Sequence, residues 1–203
     1  MQKTFIGIAG NMGTGKSTLT QMMAELLEGW AHFESVADNP YLEDFYRDMP
    51  KWSFHLQVYF LVHRFKAHRK IQNLPGIHIQ DRTIYEDANI FAPTLHESGH
   101  FDDRDYANYL ALYDSMTSSL KQPDLMVYVK KSVPRLLEQI RLRNRECEKD
   151  VSVGYLENLN SNYDKWVGNY DGKKLIIESD ELDFVKHPEH FEHISNLIKE
   201  ALR

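Results

Sequence analysis

Near the start of the chain, Gly10-Asn-Met-Gly13-Thr-Gly15-Lys16-Ser17 follows the pattern G-x-x-x-x-G-K-[ST]. Those residue types at that spacing suit one task. Glycines let backbone N–H groups turn inward around an anion, the lysine reaches terminal phosphates, and the hydroxyl beside it is a hard oxygen ligand for Mg²⁺. A helix starting here would aim its positive end at the same point. Gly10, Asn11, Met12, Gly13, Thr14, Gly15, Lys16, Ser17 and Thr18 are therefore the candidate site for ATP or another nucleoside triphosphate, with Ser17 on the metal. A glycine-rich turn without function does not account for a lysine and a serine at those two places.

Two further segments could serve the acceptor. Glu34 stands in FESVADNPYLEDFY, and Asp81-Arg82-Thr83 in IQDRTIYEDANIFA. Phosphoryl transfer to an alcohol needs a carboxylate beside the attacking hydroxyl. It also needs positive charge on the phosphoryl oxygens and a second carboxylate for the metal. Glu34, Arg82 and Asp81 supply those three roles, and Lys16 adds charge. A loose transition state would leave Glu34 positioning the hydroxyl more than driving the reaction. Each residue has a plainer reading alone: a glutamate after a strand is usually solvated, and an Asp-Arg pair can be a structural ion pair. Their joint placement at strand ends beside a phosphate loop favours the chemistry.

These residues need elements to hold them. Lys3–Ala9 reads as a buried strand and Lys16–Glu28 as a helix with Gly29 as its C-cap. His32–Ser35 reads as a second strand, and Asn39-Pro40 as a turn or helix start. Trp52–Ile71 is a long helical pattern, closed by Pro75-Gly76, and Ile77–Gln80 is a third strand reaching Asp81. Tyr106–Leu120, Val133–Leu142, Ser152–Val167 and Phe191–Leu202 read as helices, Leu125–Val129 and Lys174–Ile177 as strands. Strands alternating with helices predict an α/β fold with a parallel sheet covered on both faces, its ligands at the carboxyl ends of the strands. No repeat, low-complexity tract or linker interrupts the chain, so residues 1–203 read as one domain.

Composition bounds the partners. The chain has 203 residues, 42% hydrophobic and 27% charged, which is ordinary for a soluble globular protein. A net charge of −6 argues against holding duplex nucleic acid through phosphate neutralisation. A single cysteine, Cys147, allows no internal disulfide. No signal peptide and no membrane-spanning apolar run are visible, so a cytoplasmic protein is expected.

With these motifs in order, the sequence resembles the deoxynucleoside kinase family. NPYLEDFYRDMPKWSFHLQVYFLVHRF resembles the family's segment between its catalytic glutamate and its Asp/Glu-Arg-Ser/Thr motif, and DRTIYEDANIFA that motif with its downstream helix. RLRNRECEKD resembles the arginine-rich lid, at about 141–152, and YLENLNSNYDKW the helix after it. The resemblance covers roughly Lys3 to Trp166 and looks nearest to bacterial deoxyadenosine kinases and their deoxycytidine- and deoxyguanosine-using relatives. It implies a P-loop NTPase fold with a five-stranded parallel sheet and lid, a cytoplasmic homodimer joined through the long helices, and a role in nucleotide salvage. Glu34 resembles the general base, Asp81 the Mg²⁺-linked acid, and Arg82 the arginine on the 5′-oxygen and moving phosphoryl group. Gln57 resembles the glutamine on the base edge, Arg64 and Asp87 a charged pair that also reads the base, and Phe91 the aromatic that stacks on it. Tyr46 and Glu148 match residues on the sugar 3′-hydroxyl, Arg143 and Arg145 lid arginines on donor phosphates. One departure is Gln139, where some members carry an arginine, with Arg141 nearby. The implied reaction is ATP-dependent phosphorylation of a deoxyribonucleoside 5′-hydroxyl, deoxyadenosine first, with deoxycytidine or deoxyguanosine as alternatives.

Two other classes compete. A thymidylate-type monophosphate kinase also has a phosphate loop and a DR motif, but needs extra cations for an acceptor phosphate. A non-catalytic nucleotide-binding scaffold would tend to lose Lys16, Glu34 or Arg82, all of which are present. His187, His190 and His193 read as a surface helix rather than a metal site, and Cys147 as an inert loop cysteine. Met22 and Met23 read as core filler, and Asp102, Asp103 and Asp105 as a solvated helix start.

Overall fold

A computed structural model describes residues 3–33, 39–145, 148 and 151–203. Glu34 and Cys147 lie outside the described residues, as do positions 146, 149 and 150 of the lid segment. The strands β1 (Lys3–Ala9), β2 (Trp30–His32), β3 (Gly76–Asp81), β4 (Leu125–Lys130) and β5 (Lys174–Glu178) form one five-stranded sheet in the order β2-β3-β1-β4-β5. Every pairing is parallel, with Lys3 opposite Gly76 and Ile6 opposite Leu125.

Side-chain alternation on β4 shows how the sheet is covered. Leu125, Val127 and Val129 point to one face and pack with Leu19 and Met23 of α1 (Lys16–Leu26) and Ile194 and Ile198 of α9 (Pro188–Leu202). Met126 and Tyr128 point to the other face, toward Leu159 and Tyr163 of α8 (Val153–Asn169). Each fully buried side chain of this kind contributes about 1.5–3 kcal/mol of transfer free energy. The same face packs α3 (Met49–Ile71), α6 (Asp103–Thr117) and the residues after β3. That last stretch runs as α4 (Ile84–Glu86), a π-helical turn (Asp87–Phe91) and α5 (Ala92–Glu97). A six-residue helix α2 (Leu42–Arg47) precedes α3, and α7 (Val133–Arg143) follows β4.

Several boundaries differ from the sequence reading. The second strand is Trp30–His32, earlier than expected, because its ladder partners are His78 to Gln80 at the sheet edge. Helix α1 ends at Leu26, and Glu28, not Gly29, takes the left-handed conformation, with φ 51°. The Gly29 N–H donates to the Ala24 carbonyl at 2.8 Å and the Glu28 N–H to Glu25 at 3.3 Å, the paired bonds that close a helix end. Gly29 is needed for space instead: a Cβ there would lie 2.6 Å from the Ile77 carbonyl oxygen. Gly29→Ala is therefore expected to cost about 1–3 kcal/mol, as overpacking against backbone does. Urea denaturation checks this by a lower midpoint at unchanged slope.

Helix starts follow their caps. The Asp48 carboxylate accepts the Lys51 N–H at 3.3 Å, starting α3 three residues before the predicted Trp52. Asp102 accepts the Asp105 N–H at 2.8 Å, so the acidic cluster is indeed a helix start. His190 Nδ1 accepts the Asp183 N–H and His187 pairs with Glu189, which gives both a surface role. No group of three or more metal-type ligands occurs among the described residues.

At the sheet edge, His78 Nε2 faces the Pro75 carbonyl at 3.1 Å, so that nitrogen carries the proton. Its Nδ1 then accepts from His32 Nε2 at 2.9 Å. Burial, then the neighbouring His78 and Lys70, lower the His32 pKa to about 4. The unfolded chain therefore binds more protons than the folded one between pH 6.5 and 4. Stability is expected to fall as pH falls through that window, and His32→Gln to flatten the fall, read from Tm against pH.

Candidate functional site

The carboxyl ends of β1 and β3 meet under a cleft of about 330 Å³. After β1 the chain turns through Gly13 (φ 84°) and Gly15 (φ 91°), left-handed conformations that favour glycine, and enters α1 with no side-chain cap on its first amides. Those open amides and the helix dipole make an anion cradle. Lys16 reaches back over it and donates to the Asn11 carbonyl at 2.7 Å. Burial, then the charge of Arg82, push the Lys16 pKa down to about 7, which an incoming phosphate would reverse.

The rest of the loop is braced from behind. Asn11 turns its side chain away from the cradle, donating to Leu156 O at 3.1 Å and Asn160 Oδ1 at 2.8 Å on α8, so only its backbone is available to an anion. Thr14 donates to the Asn11 carbonyl at 3.0 Å. Met12 lines the cleft, while Thr18 faces a second hollow of about 340 Å³ on the other side of the loop.

The Ser17 hydroxyl donates to the Asp81 carboxylate at the end of β3. A hydroxyl and a carboxylate side by side, next to a phosphate cradle, are the hard oxygen set that Mg²⁺ takes when phosphates complete its shell. The residues fit the ion.

Arg82 follows with φ 64°, a left-handed conformation uncommon for a residue with a side chain. The backbone there is pinned by its N–H donating to Ile8 O at 3.0 Å. Its guanidinium donates to the Gly10 carbonyl at 3.1 Å, sits 3.5 Å from the Glu86 carboxylate and lies 4.5 Å over the Phe91 ring. The loop and the β3 end are thus tied through one cation.

Farther along the cleft, Gln57 and Arg64 of α3 are both buried, seven residues apart on one face as their spacing predicts. Arg64 pairs with Asp87 from the π-helical turn, and Gln57 Oε1 has no hydrogen-bond partner among the described residues. A buried carbonyl oxygen left so costs free energy unless a ligand pairs with it. The π turn, a feature common at functional sites, keeps Asp87 and Phe91 on the cleft wall. Tyr46 from α2 lines the same cleft. Opposite, Glu148 joins the lid arginines: Arg143 donates to one carboxylate oxygen and Arg145 lies 3.5 Å from the other.

One cleft therefore gathers Lys16, Ser17, Tyr46, Gln57, Arg64, Asp81, Arg82, Asp87, Phe91, Arg143, Arg145 and Glu148. Gln139 and Leu142 line the second hollow instead, and Arg141 is exposed and lines neither. The sequence reading missed the apolar walls Phe33, Phe45, Leu56 and Phe60, and also Tyr155. It also missed Glu86, whose T-x-x-E spacing from Thr83 is a helix-start signal. The Glu86 carboxylate accepts the Thr83 N–H at 2.8 Å and lies 2.7 Å from the Tyr163 hydroxyl. Burial, then the Glu86 charge, push the Tyr163 phenol well above its usual pKa.

A cleft with a phosphate cradle at one end and a half-satisfied polar wall at the other suits a nucleoside and a nucleotide donor together. Comparison with known proteins decides the family: the deoxynucleoside kinase model matches residues 6–203. The chain belongs to the deoxynucleoside kinase family. This kinase is 39% identical to a deoxyadenosine kinase of Dictyostelium discoideum, over all of this chain and 82% of that protein. It is 35% identical to a deoxyadenosine/deoxycytidine kinase of Bacillus subtilis, over 99% of this chain and 94% of that one. Its fold superposes on the deoxyadenosine kinase of M. mycoides with the products dCMP and a flexible dCDP bound, at TM-score 0.86 and 31% identity. That match covers 97% of this chain and 100% of the other. The P-loop α/β fold expected from the sequence is thus the kinase's fold, and its activity is phosphorylation of a deoxynucleoside from a nucleotide donor. No described helix is long and apolar enough to cross a membrane.

Proposed function

We propose that the whole chain works as one kinase unit that transfers the γ-phosphoryl group of Mg-ATP to the 5′-hydroxyl of deoxyadenosine. The observation that carries this reading is the buried Gln57 amide, its Oε1 without a hydrogen-bond partner among the described residues, facing the same cleft as the Arg64–Asp87 pair. Such an amide can accept from an exocyclic amino group and donate to the adjacent ring nitrogen, the pattern an adenine edge offers. A base lacking the match would leave the glutamine unpaired and be rejected. The names of the Dictyostelium and Bacillus relatives support the same base, and the latter also supports deoxycytidine as a secondary substrate.

In this reading Phe91 stacks on the base, and Tyr46 and Glu148 hold the sugar 3′-hydroxyl. The backbone from Gly10 to Thr18, with Lys16, grips the donor phosphates, and Arg143 and Arg145 close on them from the lid. Ser17 and Asp81 would hold Mg²⁺, which would supply neutralisation of the donor's phosphate charge. Arg82 steadies the phosphoryl oxygens in flight. The general base is assigned to Glu34 from the sequence. The enzyme is proposed to be cytoplasmic and to pair as a homodimer through α3 and α6, whose Val58, Phe65, Leu112 and Met116 stay only partly buried.

The test is ADP production with Mg-ATP and each of the four deoxyribonucleosides and dTMP in turn. Fastest turnover with deoxyadenosine is expected. Turnover with dTMP alone would reassign the enzyme to the monophosphate kinases, and silence with all five would leave a nucleotide-binding protein without this activity.

A further inference from the structure

We propose that Glu86 and Tyr163 are positioning residues for phosphoryl transfer, holding Arg82 and the first turn of the phosphate loop in one fixed relation. This rests on the reading that Arg82 touches the moving phosphoryl group. A residue held at φ 64° persists only where its surroundings over-determine it. Here the surroundings converge on one wholly buried carboxylate. Glu86 lies 3.5 Å from Arg82 Nε, accepts the Thr83 N–H at 2.8 Å and the Gly10 N–H at 3.4 Å, and lies 2.7 Å from the Tyr163 oxygen.

Tyr163, wholly buried on α8, is also 2.7 Å from the Gly10 carbonyl. A phenol has one proton, and two acceptors are in reach of it. While Arg82 donates to the Gly10 carbonyl, the phenol is free to donate to Glu86. When the guanidinium extends to phosphoryl oxygens, the phenol turns to the Gly10 carbonyl and replaces the lost donor. The carbonyl dipole then stays aimed away from the phosphates instead of swinging toward them. Neither Glu86 nor Tyr163 lines the cleft, so neither touches substrate. Both act through Arg82 and Gly10. The pair thus ties α8, the phosphate loop and the arginine into one frame.

The experiment uses the full chain as wild type, Tyr163→Phe, Glu86→Gln and the double variant. Each single change is expected to lower kcat about ten- to hundredfold, as loss of a hydrogen bond to a charged group does, with KM for both substrates within about threefold. Calorimetric deoxynucleoside affinity of Tyr163→Phe should stay near wild type, with Tm lowered by roughly 3–10 °C and the protein folded at the assay temperature. The double variant should fall little below the worse single one, because the two groups act as a unit. Wild-type kcat in Tyr163→Phe overturns the inference. So does a loss of activity matched by lost nucleoside affinity or by unfolding at the assay temperature, or a double variant whose losses multiply. Should Glu86→Gln not fold, Tyr163→Phe alone decides. Arg82→Ala run in parallel separates the two levels. Wild-type turnover there removes the Arg82 reading and this inference with it, whereas an impaired Arg82→Ala beside an intact Tyr163→Phe overturns this inference alone.

Discussion

Arg82→Ala lowers kcat by roughly 10²–10⁴-fold, with the deoxynucleoside KM changed by no more than severalfold, if the guanidinium acts mainly on charge that develops during transfer. Arg82 sits at the junction of the phosphate loop and β3, within reach of the Gly10 carbonyl and over the Phe91 ring. From there it can contact phosphoryl oxygens without being a principal contact of the base, whose proposed readers Gln57 and Arg64 line the cleft farther along. Arg82→Lys should recover only part of the loss, because an ammonium lacks the planar fork that binds two oxygens at once. Steady-state kinetics with saturating nucleoside, beside calorimetric nucleoside affinity, gives the answer. Turnover within threefold of wild type would remove Arg82 from the mechanism.

Lys16→Ala should cost about 10²-fold or more in kcat/KM for ATP while nucleoside affinity holds. The stability consequence has the opposite sense. Burial and Arg82 depress the Lys16 pKa to about 7, so the folded protein without a bound anion disfavours the charged ammonium. Removing it relieves that strain, and Tm without nucleotide should not fall. Added Mg-ATP should raise the wild-type Tm by linkage and the variant's far less. An unchanged KM and kcat for ATP would contradict the phosphate-loop assignment.

The sequence was most informative where function forces a residue type into a fixed spacing. Lys16 and Ser17 of the phosphate loop, the Asp81-Arg82 pair and Gln57 with Arg64 all line one cleft. Strands β1, β3, β4 and β5 were legible within a residue or so at either end: β1 and β4, buried on both faces, are nearly continuous apolar runs, and the edge strand β5 still carries Leu175-Ile176-Ile177. The edge strand β2 was not, since its three residues Trp30–His32 carry no such run. Helix ends shifted where a cap decided them, at Asp48 and Asp102. The short α2 and the π turn have no periodicity long enough to read. Glu86 and Tyr163 escaped because their importance is three-dimensional: they are 77 residues apart and meet only when α8 packs on the sheet.

The central place of β1 also has a cost in time. Its neighbours are β3, from Gly76, and β4, from Leu125. At ribosomal speeds of about 5–20 residues per second, β1 waits roughly 4–15 s for the first of them to be made. Throughout that interval Phe5, Ile6 and Ile8, which end up wholly inside, are open to water and to other nascent chains. The phosphate loop, encoded early, can take its shape only late, and the growing chain is most open to chaperones and to aggregation in between.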